Sequence, residues 1–156
     1  MTEGKSNIRK WVWCVLCVLL VMITLYAAIC CRLVITEGTS MEPTFFAGEV
    51  LLCTRSFSAP QKDDVVLIDK GDKLVIKRVA YVPGDKIPDS IQFYFEGTNN
   101  DRCYDFDVMY WGSNTIPDGF IFVTGDNPDH SYDSRYESFG LVALDDVWGK
   151  VFGTGN

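Results

Sequence analysis

Basic side chains are scarce in this sequence and form no extended cluster. Its 156 residues carry 14 Lys and Arg against 21 Asp and Glu, a formal net charge of −7. Nucleic-acid binding draws its strength from clustered Lys and Arg set against phosphates, so that class of partner is excluded. Histidine occurs once, at His130, which leaves a single imidazole for any chemistry that needs a base. Six cysteines are too few and too badly placed for a disulfide framework. Cys14, Cys17, Cys30 and Cys31 lie in an uncharged apolar run. Cys14 and Cys17 have C-x-x-C spacing, but the thiolate that zinc or redox chemistry requires is unfavourable in hydrocarbon, so they read as small packing residues. Cys53 and Cys103 leave one bridge possible, and the sequence does not decide it. Beyond residue 36 there is no repeat, no low-complexity tract and no helical period sustained for about three turns.

What is present begins with the apolar run itself. "WVWCVLCVLLVMITLYAAICC", Trp11 to Cys31, holds 21 positions without a charge. At about 1.5 Å per residue a helix of this length crosses the roughly 30 Å hydrocarbon core of a bilayer. Lys5, Arg9 and Lys10 precede it with only Glu3 opposing, while Arg32 and Glu37 follow. The positive-inside rule then places the N-terminus in the cytoplasm and the chain beyond residue 32 outside. A cleaved signal peptide is the rival reading, but its apolar region usually has about 7 to 15 residues and ends in a small-x-small site. The run here is longer and lacks such a site, and Cys30 follows Ile29 rather than the small residue of a lipoprotein signal. The expected organisation is a cytoplasmic tail over 1–10, a retained transmembrane anchor over 11–31 in contact with the lipid bilayer, and an extracytoplasmic domain over 32–156.

That domain reads as mainly β. "EVLLCTRSF" (49–57), "DVVLID" (64–69), "KLVIKRVAYV" (73–82), "IQFYFEG" (91–97), "GFIFVTGD" (119–126) and "VWGKVFG" (147–153) are short β-rich runs. Turn signals such as "DKGD" (69–72), "PGD" (83–85) and "IPDG" (116–119) separate them. The expectation is a compact coiled sheet or partial barrel, with a hairpin over "DVVLIDKGDKLVIKRV" and a loop or small insertion of unassigned role over 98–115.

Three stretches carry residues suited to chemistry. In "GTSMEPTF" (38–45), Ser40 stands between Gly38 and Pro43, where a stiff turn presents its hydroxyl. A serine hydroxyl is a weak nucleophile until a neighbouring base takes its proton. Lys77 is a candidate base, because strand alternation puts it on a face with Val75, Val79 and Tyr81, with Arg78 on the other. Burial on an apolar face disfavours the charged amine. The plainer alternative is a lysine whose stem packs while its ammonium reaches water. The third stretch, "GDNPDHSYDSRYESFG" (125–140), is dense in charged and hydroxyl residues and would pass alone as a solvated loop.

Together and in this order, the stretches resemble the boxes of the type I signal peptidases, serine/lysine endoproteases that remove signal peptides from exported preproteins. "SMEPT" (40–44) is similar to S-M-x-P-T. "DDVVLI" (63–68) is similar to G-D-V-V, with Asp63 where glycine is usual. "KRVAYVPGD" (77–85) fits K-R-V-x-x-x-P-G-D, and "GDNPDHSYDSR" (125–135) fits G-D-N-x-x-x-S-x-D-S-R. Two departures stand out. The glycine expected after "DSR" arrives late, at Gly140 behind "YESF", so that turn has a longer loop, and Gly38 lacks the hydroxyl that some relatives place two residues before the nucleophile.

The resemblance implies Ser40 as nucleophile, Lys77 as general base, the Ser40 backbone N–H as oxyanion donor and Ser131 as the group that aims the Lys77 amine. It implies ion pairs of Arg78 with Asp126 and Asp133 with Arg135, and shallow pockets near Ile35, Met41 and Ile76 that admit small side chains. The implied substrates are preproteins cut after Ala-x-Ala-like sites, with no cofactor and no metal. His130 is a rival base, since eukaryotic-type members carry histidine at the position of Lys77. A peptidase dedicated to pilin, conjugation or biofilm substrates would share every box. A membrane-tethered binding domain without catalysis is the alternative from a different class.

Overall fold

The computed structural model describes residues 3–55, 57–88, 90–91, 93–94, 102–103 and 114–153, with backbone alone at 3–8 and 102–103. The chain divides into two compact units, Met1–Arg32 and Leu33–Asn156.

The first unit is one helix, α1 (Glu3–Cys30), of 28 residues. Within it Arg9–Cys30 has a mean hydropathy of 2.7 over its most apolar window, none of which is buried against protein. Its 22 residues rise roughly 33 Å, long and apolar enough to cross a membrane. Such a run of Leu, Val, Ile and Ala forms a helix readily in lipid, because the helix satisfies every backbone N–H and C=O within itself.

The second unit is mainly β. Among the described residues nine strands follow α1: β1 (Cys31–Ile35), β2 (Val50–Thr54), β3 (Val65–Asp69), β4 (Leu74–Tyr81), β5 (Phe93–Tyr94), β6 (Arg102–Cys103), β7 (Phe120–Thr124), β8 (Val142–Ala143) and β9 (Val147–Phe152). Seven of them form an open sheet in the order β1-β2-β9-β3-β4-β7-β8, a half-barrel, and β5 and β6 form a separate antiparallel pair. The hairpin legible in "DVVLIDKGDKLVIKRV" is β3 against β4, with Leu67 opposite Ile76 and Val66 opposite Lys77.

β3 shows why the run "VVLI" is apolar without alternation. All four residues are buried, Val65 and Leu67 in one core cluster and Val66 and Ile68 in another on the opposite face. The first cluster gathers Met41, Phe45, Leu51, Cys53 and Val151; the second gathers Val79, Ile121, Val123, Phe139 and Val142. A third, of Ile87, Phe93, Ile116 and Phe122, lies under the β5 strand. Alternating side chains of one central strand therefore anchor two cores and hold β4, with its Lys77, between them. Most of the segment at 98–115 lies outside the described residues; of it, β6 and residues 114–115 are seen. Cys53 is buried in the first cluster, and the side chain of its potential partner Cys103 is outside the described residues.

Candidate active site

Ser40 sits in the turn that follows β1. The turn is closed by the Glu42 N–H donating to the Thr39 carbonyl (3.2 Å) and the Phe45 N–H to the Met41 carbonyl (2.9 Å). Met41 and Phe45 are buried in the first core cluster, which pins the turn from beneath. Asn127 ties it from the side, its backbone N–H donating to the Ser40 carbonyl (3.0 Å) and its amide Nδ2 to the Thr39 carbonyl (3.1 Å).

Ser40 and Lys77 line one cavity of about 330 Å³, with Val34, Ile35, Met41 and Ile76 among the walls. Lys77 is only 4% exposed, so the plain reading of an ammonium reaching water does not apply. Its Nζ donates to Ser131 Oγ (3.1 Å). Loss of hydration pulls the Lys77 pKa below its ordinary value of 10.5; Asp133 and Asp126 oppose this, and Arg135 and Lys73 add to it.

Ser131 is buried too, and its single proton is already committed, donating to Asp133 Oδ2 at 2.6 Å. Asp133 is fully buried and well satisfied. Oδ2 also accepts from the Gly125 N–H (2.9 Å) and Arg135 Nη2 (2.9 Å), and Oδ1 accepts from the Arg135 backbone N–H (3.2 Å) and Nε (2.8 Å). A buried carboxylate is tolerable only with such pairing. Because the Ser131 hydrogen points at Asp133, its oxygen faces Lys77 as an acceptor, and the amine donates to it.

Arg78, next along β4, points away from the cavity and pairs with Asp126 through two bonds, Nε to Oδ1 (2.7 Å) and Nη2 to Oδ2 (2.6 Å). Nη1 also donates to the Asp63 carbonyl (2.8 Å). Burial works upward on the Asp126 carboxyl, but hydrogen bonds from Arg78 and Thr44 and the charges of Arg78 and Lys77 outweigh it and hold the pKa below its usual value. His130 is exposed on a short 3-10 turn (Pro128–His130), its Nδ1 lying 3.3 Å from Asn127 Oδ1, and it is not among the cavity walls.

Two further contributors stand in the "GDN" box, which marks their positions but not the contacts they make. Gly125 packs so closely that a Cβ there would collide with Ser131 Oγ and the Ser40 carbonyl oxygen. Asn127 supplies the bonds to Thr39 and Ser40. Both sit in "GDN", and their use depends on a partner more than 80 positions away. Among the described residues there is no group of three or more His, Cys, Asp or Glu placed to hold a metal ion.

The family model for signal peptidase, peptidase S26, matches residues 8–154. Signal peptidase I of Bacillus caldolyticus is 31% identical, the match covering 97% of this chain and 92% of that protein. Mitochondrial inner membrane protease subunit 1 of Xenopus tropicalis is 32% identical, over 77% of this chain and 66% of that one. Among solved structures, a signal peptidase I from Enterococcus faecalis V583 aligns with 62% of this chain and 100% of its own, at a TM-score of 0.46 and 25% identity. With its apolar helix, half-barrel sheet and ordered boxes lying inside the matched span, the chain belongs to the signal peptidase family, peptidase S26.

Proposed function

We propose that this chain is a single-pass membrane endopeptidase that removes signal peptides from exported preproteins, with Ser40 as nucleophile and Lys77 as general base. The observation that carries the reading is the Lys77 amine: buried, short of hydration, on the wall of the cavity that Ser40 also lines, and donating to a serine whose own proton is spent on Asp133. A neutral amine has two N–H groups and one lone pair. Ser131 engages an N–H, which leaves the lone pair for the Ser40 proton.

In the first half-reaction Ser40 Oγ attacks the scissile carbonyl carbon while its proton passes to Lys77 Nζ. The tetrahedral oxyanion is held by the Ser40 backbone N–H, a donor of a kind whose loss typically slows catalysis about 10²- to 10³-fold. Collapse breaks the C–N bond, and Lys77 returns the proton to the departing amine of the mature protein. Water then attacks the Ser40 ester and gives a proton to Lys77; as the Oγ–C bond breaks, Lys77 returns that proton to Ser40 Oγ, and the signal peptide leaves with a new C-terminal carboxyl group. Ser131 aims the amine, Asp133 and Arg135 hold Ser131, and the Arg78–Asp126 pair braces β4 against the same loop.

Recognition follows from the cavity walls. Among the described residues β1 ends the sheet, with one of its edges not taken up by sheet pairing. An extended peptide laid between β1 and the start of β4 adds main-chain hydrogen bonds as a further strand. Ile35, Met41 and Ile76 then limit the pockets to small side chains at the first and third residues before the cut, as in Ala-x-Ala. The apolar helix anchors the enzyme with its N-terminus in the cytoplasm and residues 33–156 outside, where signal peptides emerge.

The test is cleavage of a preprotein with an Ala-x-Ala site by membranes carrying the wild-type chain, Ser40→Ala or Lys77→Ala. Both substitutions should abolish processing; survival in either rejects the dyad. Loss in His130→Ala with retention in Lys77→Ala would hand the base role to histidine.

A further inference from the structure

The loop that carries Ser131, Asp133 and Arg135 is gripped from outside the site. β5 is fixed on one side by Phe93, fully buried and edge-on to Phe122 of β7 (centroids 6.1 Å apart, 88° between planes). On its other side Tyr94 forms a parallel bridge with Tyr136: the Tyr94 N–H donates to the Arg135 carbonyl (2.8 Å) and the Glu137 N–H to the Tyr94 carbonyl (3.0 Å). The Tyr94 and Tyr136 rings stack at 4.5 Å and 15°, and Tyr132 packs on Tyr136 at 5.0 Å. Tyr136 opens the "YESF" stretch that precedes the late glycine, Gly140.

From Arg135 the path to the cavity is short. Its guanidinium holds Asp133 and the Pro128 carbonyl (3.1 Å), Asp133 holds the Ser131 hydroxyl, and Ser131 accepts from Lys77. Beside these residues is a hollow of about 380 Å³ lined by Tyr94, Gly125, Pro128, Asp129 and Arg135, so the loop has space to relax into if the grip is lost. Tyr94 lines no part of the cavity shared by Ser40 and Lys77. We propose that Tyr94 is a positioning residue for the proteolytic reaction: by clamping Arg135–Glu137 it sets the loop whose Ser131 aims the Lys77 amine. The proposal rests on the Ser40/Lys77 reading above.

A clamp of this kind acts on turnover, not on substrate binding. Loosening it lets water reach the Lys77 amine, which faces Asp133, Arg135, Lys73 and Asp126, and so raises the pH at which the base becomes free. The experiment measures kcat, KM and the pH profile of kcat/KM for the detergent-solubilised full chain on a peptide with an Ala-x-Ala site. Tyr94→Ala should lower kcat about tenfold with KM within about twofold, and move the acid limb to higher pH. Tyr94→Phe, which keeps the flat ring and the backbone bonds, should match wild type. Val142→Ala, a cavity in the second core cluster, controls for general loosening and should leave the limb in place. If Tyr94→Ala does not fold, Tyr94→Leu keeps an apolar side chain on β5 without the stack and should shift the same quantities in the same sense. Wild-type kcat and limb in the Ala or Leu variant, or an equal limb shift in Val142→Ala, overturns the clamp. Activity surviving in Ser40→Ala or Lys77→Ala, run alongside, removes the dyad reading beneath it, so the two failures are told apart.

Discussion

A methyl group at position 125 has no room. It would fall on Ser131 Oγ and on the Ser40 carbonyl oxygen, and that oxygen is backbone, already held by the Asn127 N–H. Neither neighbour yields without moving the proposed nucleophile or the partner of the proposed base. Gly125→Ala is expected to cost about 1–3 kcal/mol in denaturant unfolding, the usual price of overpacking. It should also slow preprotein cleavage by about 10²-fold, since a displacement near 1 Å is enough for that. Unchanged cleavage would show the two loops to be more yielding than their packing implies. Lys77 makes the complementary case, a side chain that burdens the fold it serves. Its pKa is lowered in the folded chain, chiefly by desolvation, and is ordinary in the unfolded one, so between the two values the unfolded state binds more protons. Stability contributed at this position therefore rises with pH through that window, and the penalty is complete below the folded value. Lys77→Met keeps the volume and removes the charge. Its Tm should exceed that of wild type at neutral pH, the difference should shrink as pH rises toward the ordinary lysine value of 10.5, and proteolysis should be absent throughout. A Met variant less stable than wild type at pH 7, in thermal melts across a pH series, would contradict a desolvated amine.

The turn into β3 solves a backbone problem with an unusual residue. Asp63 has φ +70°, left-handed backbone that glycine enters freely and that aspartate, with its short polar side chain, tolerates better than most. Its N–H donates to the Val79 carbonyl (2.9 Å) and its carbonyl accepts from Arg78 Nη1, so the strained residue links β3, β4 and the Arg78–Asp126 pair. Asp63→Gly should leave stability within about 1 kcal/mol of wild type, while Asp63→Val, β-branched and unsuited to this φ, should cost about 1–3 kcal/mol in denaturant titration. The same locality explains which elements can be read from sequence. β3, β4, β7 and β9 are apolar or alternating runs bounded by Gly, Pro and Asp turns, and the β3–β4 hairpin has its signal in "DKGD". β1 is hidden, because "CRLVI" follows the apolar run with no Gly or Pro between them, only the charge of Arg32, and it forms a strand by pairing with β2. β8 has two residues, too few for any period, and exists because Phe120 and Ile121 pair with it. In the site, Ser40, Lys77 and Ser131 stand in recognisable boxes. Gly125 and Asn127 stand in the "GDN" box, but the Gly125 packing, the Asn127 bonds and the Tyr94 bridge are each made by chain folding back over a long separation, so the pattern marks residues without showing what they touch.

Charge is divided along the chain as sharply as hydropathy. Of the 21 acidic residues only Glu3 precedes residue 37, whereas Lys5, Arg9 and Lys10 stand immediately before the apolar run. In the proposed orientation the asymmetry across Arg9–Cys30 keeps the basic residues Lys5, Arg9 and Lys10 in the cytoplasm, a bias that acts on Lys and Arg close to the helix end more than on net charge. Catalysis and orientation can be separated on this basis. An epitope added before Met1 should survive protease applied to sealed right-side-out vesicles, under conditions that digest residues 33–156. Replacing Lys5, Arg9 and Lys10 together by Glu removes the bias without touching the half-barrel. A measurable fraction of chains should then expose the epitope, and preprotein processing in cells should fall in proportion, because a serine facing the cytoplasm never meets an exported cleavage site. Solubilised in detergent, the charge-reversed enzyme should cleave an Ala-x-Ala peptide at the wild-type rate. If processing in cells fell while the epitope stayed protected, the basic residues would be acting on something other than orientation, and the inside-to-outside assignment would lose its support.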